Sequence, residues 1–183
     1  GRFLYYGKSF VGGADGLSQV APTMQYTGQY YRALLKNILQ GNLQIPMWDM
    51  SIGFGMNILQ VISFDPVYIL CSALFVHNIA IGIAIYDMLC LYLAGVMFIA
   101  LCYNLGCNRY AALAAAMAYI FNGYILNYCM AQNSFLRLFI VLPMILLGVY
   151  NVTKKNRYGI FVLAVLYNIT LGPLNIYTIG IVL

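Results

Sequence analysis

Residues 79–103 read IAIGIAIYDMLCLYLAGVMFIALCY, and in these 25 residues the one charged group is Asp87. A helix needs about 20 predominantly apolar residues to cross the hydrocarbon core of a bilayer. Ile79–Tyr103 therefore predicts a membrane span. Further apolar segments lie on its C-terminal side at 110–128, 135–152 and 158–183, the last interrupted at Gly172-Pro173. The second contains a small-residue patch, Ala111–Ala116, suited to close helix packing. Over the whole chain 63% of residues are hydrophobic and 7% are charged, against about a quarter charged in a soluble domain. So few charges cannot cover a water-facing surface. The fold class that follows is an all-α integral membrane protein, a polytopic helical bundle.

On the N-terminal side of that span the text changes. Val67–Val76 is apolar but about ten residues long, too short to cross, and reads as re-entrant or interfacial. Residues 1–65 form a separate region, an outer loop preceding the transmembrane region 66–183. Gly1–Phe10 mixes Tyr5, Tyr6 and Lys8, which suits a helix end meeting lipid headgroups. Gly12, Gly13 and Gly16 bracket Asp15 in a flexible turn. From Pro22 to Gln40 the pattern has a period of 3.6, with Tyr31, Leu34, Leu35 and Ile38 on one face and Gln25, Gln29, Arg32 and Lys36 on the other. Such a helix is expected to lie along the membrane surface. Gly53-Phe54-Gly55 marks a bend, and Asp65-Pro66 a turn or helix start.

Lys154, Lys155 and Arg157 cluster between two apolar segments, and the excess of basic residues in cytoplasmic loops assigns them to the cytoplasmic side. Counting back two crossings puts Asn104–Arg109 on that side too. Gln132, Asn133 and the whole of 12–57 then face outwards. The chain starts at Gly1 and stops within an apolar run at Leu183, which is the expectation for a piece of a longer protein. The net charge of +5 is scattered, without the basic stripe that nucleic-acid binding needs. His77 is the one histidine, so a zinc site built from histidines is excluded. Cys71, Cys90, Cys102, Cys107 and Cys129 form no C-x-x-C pair, and most read as small buried apolar residues.

The four carboxylates are Asp15, Asp49, Asp65 and Asp87. Asp15 has Gln19 one helical turn on. A carboxylate there can act as general base on a hydroxyl, hold a divalent cation such as magnesium or manganese, or cap a turn. Arg32 and Lys36, one turn apart, can hold a phosphate or attract lipid headgroups. Arg137, at the outer end of its span, can join such a site or reach to the interface. Asp87, inside a span, is a functional candidate by default, with helix packing as the competing explanation. No metal is identifiable from these residues.

The order of several motifs resembles the YfhO family of bacterial membrane proteins, whose architecture is similar to that of GT-C glycosyltransferases. The matching text is Gly7-Lys8-Ser9 leading to Asp15-Gly16-Leu17-Ser18-Gln19, Leu39-Gln40-Gly41, Trp48 with Gly53-Phe54-Gly55-Met56-Asn57, and Asp65-Pro66. Leu93-Ala94-Gly95, Ala118–Tyr124, Leu142–Gly148 and Asn175-Ile176-Tyr177 continue it. The Trp48-to-Gly53 spacing is longer than the family form. The resemblance implies a GT-C-type bundle whose first extracytoplasmic loop carries interfacial helices, and an N-terminal fragment of a bacterial cytoplasmic membrane protein. It implies Asp15 as catalytic carboxylate, with Gln19, Trp48, Asp49, Asn57 and Asp65 shaping the site. The donor would be a polyprenyl-phosphate-linked sugar, with Arg32, Lys36 or Arg137 available to its phosphate. The acceptor would be an envelope polymer such as teichoic acid. The competing function is a non-enzymatic membrane transporter or scaffold for lipid-linked saccharides, in which Asp87 rather than Asp15 would matter.

Overall fold

A computed structural model describes residues 11–13, 15–42, 44–129 and 131–170. The expectations for Gly1–Phe10, Gly172-Pro173 and Asn175-Ile176-Tyr177 lie outside the described residues. The chain divides into two compact units, 1–86 and 87–183.

The first unit holds helix α1 (Ala21–Leu39), a minimal hairpin of β1 (Trp48–Asp49) and β2 (Met56–Asn57), helix α2 (Pro66–Leu74) and the start of α3 (Ile79–Asn104). A π-helical turn, Gly16–Val20, leads directly into α1. Pro22 explains that wider turn. In an α-helix its ring would meet the carbonyl four residues back. Here the Ala21 N–H bonds the Gly16 carbonyl five residues back, which opens the coil just ahead of the proline.

Helix α1 packs on α2 through the face carrying Met24, Thr27 and Gly28, all buried. Leu35 and Ile38, half of the apolar face expected from the sequence, are exposed. The reason is steric. A Cβ on Gly28 would stand 2.2 Å from the Ser72 carbonyl oxygen, so the two backbones touch where α1 has no side chain. Three tyrosines on α1 then tie down the segment between α1 and α2. Tyr26 donates to Asp49 Oδ2 (2.8 Å), Tyr30 to the Pro46 carbonyl (3.2 Å) and Tyr31 to the Ser63 carbonyl (3.0 Å).

The second unit holds the rest of α3, helix α4 (Arg109–Ile120), helix α5 (Leu136–Lys155) and helix α6 (Gly159–Thr170). Two helical stretches, Ile79–Asn104 and Asn133–Lys155, are long and apolar enough to cross a membrane. The stretch 110–128, expected as one span, is divided. Helix α4 ends at Ile120, and a separate turn occupies Ile125–Cys129. Asn122 makes the break, because its side chain bonds the backbone on both sides. Nδ2 donates to the Tyr119 carbonyl (2.6 Å) and Oδ1 accepts from Ile125 N (3.0 Å), the local competition with helix hydrogen bonding that asparagine offers.

Helices α5 and α6 pack closely at Gly148, where a Cβ would lie 2.7 Å from the Phe161 Cα. Val141, Ile145 and Ala164 form the core between them. At the ends of α3 and α5, Lys155 Nζ donates to Asn104 Oδ1, so these two helices finish together among basic residues. All five cysteines are unbridged, and four are buried.

Pro143 stands inside α5 and leaves the Phe139 carbonyl without its helical N–H donor. Tyr119 replaces it, donating its hydroxyl to that carbonyl at 3.1 Å. The same ring stacks on Phe98 (4.3 Å, 15°) and leans on Phe139 (5.5 Å), which links α3, α4 and α5. Tyr119→Phe is therefore expected to keep the stack, orphan the carbonyl and lower stability by about 1–3 kcal/mol. Thermal unfolding of detergent-solubilised protein checks this, and an unchanged midpoint would remove Tyr119 from the repair of the proline break.

Candidate active site

Each carboxylate sits differently, and the differences sort their roles. Asp49, on β1, accepts from Ser51 N (2.8 Å), Ser51 Oγ (2.7 Å) and Tyr26 OH (2.8 Å). Asp65 is fully buried. It caps α2 by accepting from Val67 N (2.9 Å), and its other oxygen accepts from Tyr86 OH (2.9 Å). The Tyr86 ring meets Tyr68 edge-on at 5.1 Å. Asp49 and Asp65 are thus occupied in holding the hairpin and a helix start.

Asp15 is exposed. Its backbone is helical (φ −61°, ψ −32°), and its side chain makes no capping bond. The glycine-bracketed turn expected around it is instead the start of a helical run from Asp15 to Leu39, entered through a bond from Gly16 N to the Gly13 carbonyl (3.4 Å). A carboxylate at this end is favoured by the positive pole of the helix. Among the described residues Gln19 is its hydrogen-bond partner, Nε2 donating to Asp15 Oδ1 at 3.3 Å. The predicted Asp15–Gln19 pair is therefore brought together.

Arg32 and Lys36 are not brought to Asp15. They lie 17 and 21 residues further along the same helical run, roughly 25 and 30 Å away along its axis at the ordinary α-helical rise. Arg32 Nη1 instead lies 3.3 Å from His77 Nε2, a pairing that periodicity within one helix does not reveal. Lys36 sits in the last turn of α1, where a cation is favoured by the helix dipole. Arg137 belongs to the second unit, where its Nε is 3.4 Å from the Ser134 carbonyl.

Trp48 and Asn57 face each other across the hairpin. Asn57 Oδ1 accepts from Leu59 N (3.0 Å), which starts the next turn. Trp48 stays 61% exposed, and its indole N–H points to Met50 Sδ at 3.2 Å. Gly55, at φ +111°, would be strained by any side chain, and its Cβ would crowd the indole nitrogen at 2.9 Å. The hairpin thus sets Trp48, and the bonds to α1 described above set the hairpin.

Three hydrogen bonds draw the Asp49 carboxyl below its usual range, led by the Ser51 hydroxyl. Burial, followed by the bond to Asp49, pushes Tyr26 up to about 12. A depressed carboxyl stabilises the folded form above its unfolded value and loses that as pH falls; a raised phenol stabilises it below its unfolded value and loses that as pH rises. The clamp is therefore expected to hold between the model-compound values of 3.8 and 10.0, loosening below the first and on rising from the second towards 12. Trp48 is the chain's single tryptophan, so its emission reports this directly. A wavelength that drifts steadily from pH 5 to 9 would contradict the clamp.

Asp87 is fully buried, and neither of its oxygens has a hydrogen-bond partner. Among the described residues no three His, Cys, Asp or Glu side chains gather as a metal site. Asp15 with Gln19 offers one carboxylate and one amide, too few donors for a resident magnesium or manganese ion held by protein alone.

Two helices long and apolar enough to cross a membrane, in a chain with 7% charged residues, fit a helical membrane protein. The chain belongs to the family described as bacterial membrane protein YfhO, whose model matches residues 2–170. Comparison with curated proteins finds no match, and neither does comparison with solved structures.

Proposed function

We propose that the full-length protein is a membrane glycosyltransferase of GT-C type, which moves a sugar from a polyprenyl-phosphate carrier to a hydroxyl of an envelope polymer such as teichoic acid. The observation that carries this reading is the sorting of the carboxylates: Asp49 and Asp65 are engaged by the fold, Asp87 is buried, and Asp15 is exposed with Gln19 as its one side-chain partner among the described residues. The basic groups where α3 and α5 end support a cytoplasmic position for that end, and the segment ahead of Ile79 then works on the outer side.

In this mechanism the acceptor O–H gives its proton to Asp15 as its oxygen bonds the anomeric carbon. The bond from that carbon to the phosphate oxygen breaks, and polyprenyl phosphate leaves with the electron pair. Gln19 orients the carboxylate through Oδ1, leaving Oδ2 for the proton. Arg32, with His77 and Lys36, lies too far along α1 to touch the same phosphate and serves instead as an anchor for anionic lipid headgroups.

Full-length protein in nanodiscs, supplied with a labelled polyprenyl-phosphate hexose and teichoic acid, tests the reading. Label appearing on the polymer with an equal amount of polyprenyl phosphate released is the expected result. Intact donor after prolonged incubation with active, folded protein would favour a transporter or scaffold instead.

A further inference from the structure

Residues 37–76 contain no lysine, arginine or glutamate. Their two acids, Asp49 and Asp65, are engaged by Ser51, Tyr26, Val67 and Tyr86. The hairpin inside this segment nevertheless turns its apolar side chains outwards. Met50 is 72% exposed, and Phe54 is exposed over its whole surface. With Trp48 they form one patch. The indole nitrogen lies 3.2 Å from Met50 Sδ, and the space beside Gly55, next in sequence to Phe54, is bounded by that nitrogen at 2.9 Å and that sulfur at 3.0 Å.

The exposure is built into the backbone. Phe54 has φ +64°, between Gly53 at +54° and Gly55 at +111°. A bulky residue in the left-handed region is uncommon and strained, and such strain is held where the surroundings fix it. Here the Gly55 N–H closes the bend on the Ile52 carbonyl at 2.8 Å, and Asp49 grips Ser51 below it. The ring is lifted away from its own chain.

The surroundings in the first unit say what meets this patch. Its cations gather beside the start of the apolar helix α3. Arg32 reaches His77 at 3.3 Å, and Ile79 opens α3 two residues later. Helix α2 is clasped to the first two turns of α3 through the Asp65–Tyr86 bond at 2.9 Å and the Tyr68–Tyr86 ring contact. The hairpin is tied to α1, and α1 lies against α2 at Gly28. A unit fastened in this way to the start of a helix apolar enough to cross a bilayer stands at the bilayer surface. Basic groups together with exposed aromatic and apolar side chains are the signature of interfacial binding, and tryptophan favours the headgroup level. A protein partner fits less well. Aromatic side chains bury about 150–250 Å² each, so three side chains fall short of the roughly 1,200 Å² that a stable protein–protein interface buries.

We propose that the hairpin inserts Phe54, Met50 and Trp48 into the adjoining lipid leaflet, at the boundary of headgroups and acyl chains, and so pegs the unit that carries Asp15 to the membrane. The peg is independent of sugar transfer, since a scaffold or transporter would be held in the same way.

Depth measurement tests it. Full-length protein in nanodiscs of phosphatidylcholine and phosphatidylglycerol, with its accessible cysteines replaced by serine, carries one nitroxide label at Met50→Cys, Phe54→Cys or, as the reference on the polar face of α1, Gln25→Cys. Spin relaxation by oxygen, which concentrates among acyl chains, is compared with relaxation by a water-soluble nickel chelate. The oxygen-to-nickel ratio at positions 50 and 54 is expected to exceed that at 25 by about threefold or more, as burial at the acyl boundary requires. Phe54→Asp should bring the ratio at position 50 down to the reference value, because a carboxylate resists entering hydrocarbon. Phe54→Leu should leave it unchanged. Position 54 is exposed, so neither exchange disturbs packing. Free access of the nickel chelate to positions 50 and 54 would put the hairpin in water. Shielding from both reagents would put it against protein, whether a second copy or another part of the chain. Either result, or an unmoved ratio in Phe54→Asp, would overturn the proposal.

Discussion

Cells carrying full-length protein with Asp15→Asn are expected to incorporate sugar into the envelope polymer at about one-hundredth of the wild-type rate or less. Removing a general base costs typically 10²–10⁴-fold. The substitution isolates that loss. Asparagine has nearly the same shape, and its carbonyl oxygen can still accept the Gln19 amide that now reaches Asp15 Oδ1 at 3.3 Å. What it cannot do is take a proton at the other atom. Position 15 is exposed, so the exchange leaves packing alone, and protein abundance should match wild type by immunoblot. Asp15→Glu restores a base displaced by one methylene and should recover part of the rate. Pulse-labelling of the polymer gives the measurement. Incorporation within threefold of wild type at equal abundance would take Asp15 out of the chemistry.

The second large effect is structural. Gly28→Leu is expected to detach α1 from α2 and with it the hairpin that carries Trp48. The Cβ alone would stand 2.2 Å from the Ser72 carbonyl oxygen and 2.7 Å from its carbon, and both are backbone atoms within α2 that cannot rotate aside. Inserting methylenes into packed cores costs typically 1–3 kcal/mol when side chains can shift; here the helices themselves must part. Against a total stability of about 5–15 kcal/mol, that loss is large. Gly13→Ala is the matched control, since nothing lies within 4 Å of its added carbon. Limited proteolysis between α1 and α2, followed with Trp48 emission, reads the result. Equal resistance of the two variants would show that the contact at Gly28 does not hold the unit together.

The bilayer-crossing character was legible because it rests on length and hydropathy, which are local. Ile79–Tyr103 emerged as one helix, Ile79–Asn104, and Lys155 of the basic cluster meets Asn104 at its end. The amphipathic segment from Pro22 also emerged, as Ala21–Leu39, but its buried face did not. Hydrophobic period alone favoured Leu35 and Ile38, whereas the contact with α2 is decided by close backbone approach at Gly28, which leaves no hydropathic trace. Tyr26, Tyr30 and Tyr31 were similarly silent, because the acceptors of their hydroxyls lie far along the chain. The break after Ile120 has a local signal in Asn122-Gly123, masked by the apolar run around it. At the candidate site, the Asp15–Gln19 spacing of one turn was readable. The roles of Asp49 and Asp65 were not, since only tertiary partners such as Tyr26 and Tyr86 reveal that those carboxylates are already engaged.

The side of the membrane on which Asp15 works is the point from which the catalytic reading stands or falls, and it can be measured in intact cells. In full-length protein with Cys107 replaced by serine, Gln19→Cys places an exposed thiol one turn from Asp15, and Asn156→Cys places one in the basic turn after α5. A membrane-impermeant maleimide added to whole cells should label position 19 at once and position 156 only after permeabilisation. The reverse pattern, with position 156 labelled from outside and position 19 protected until the cells are opened, would contradict an outward-facing base.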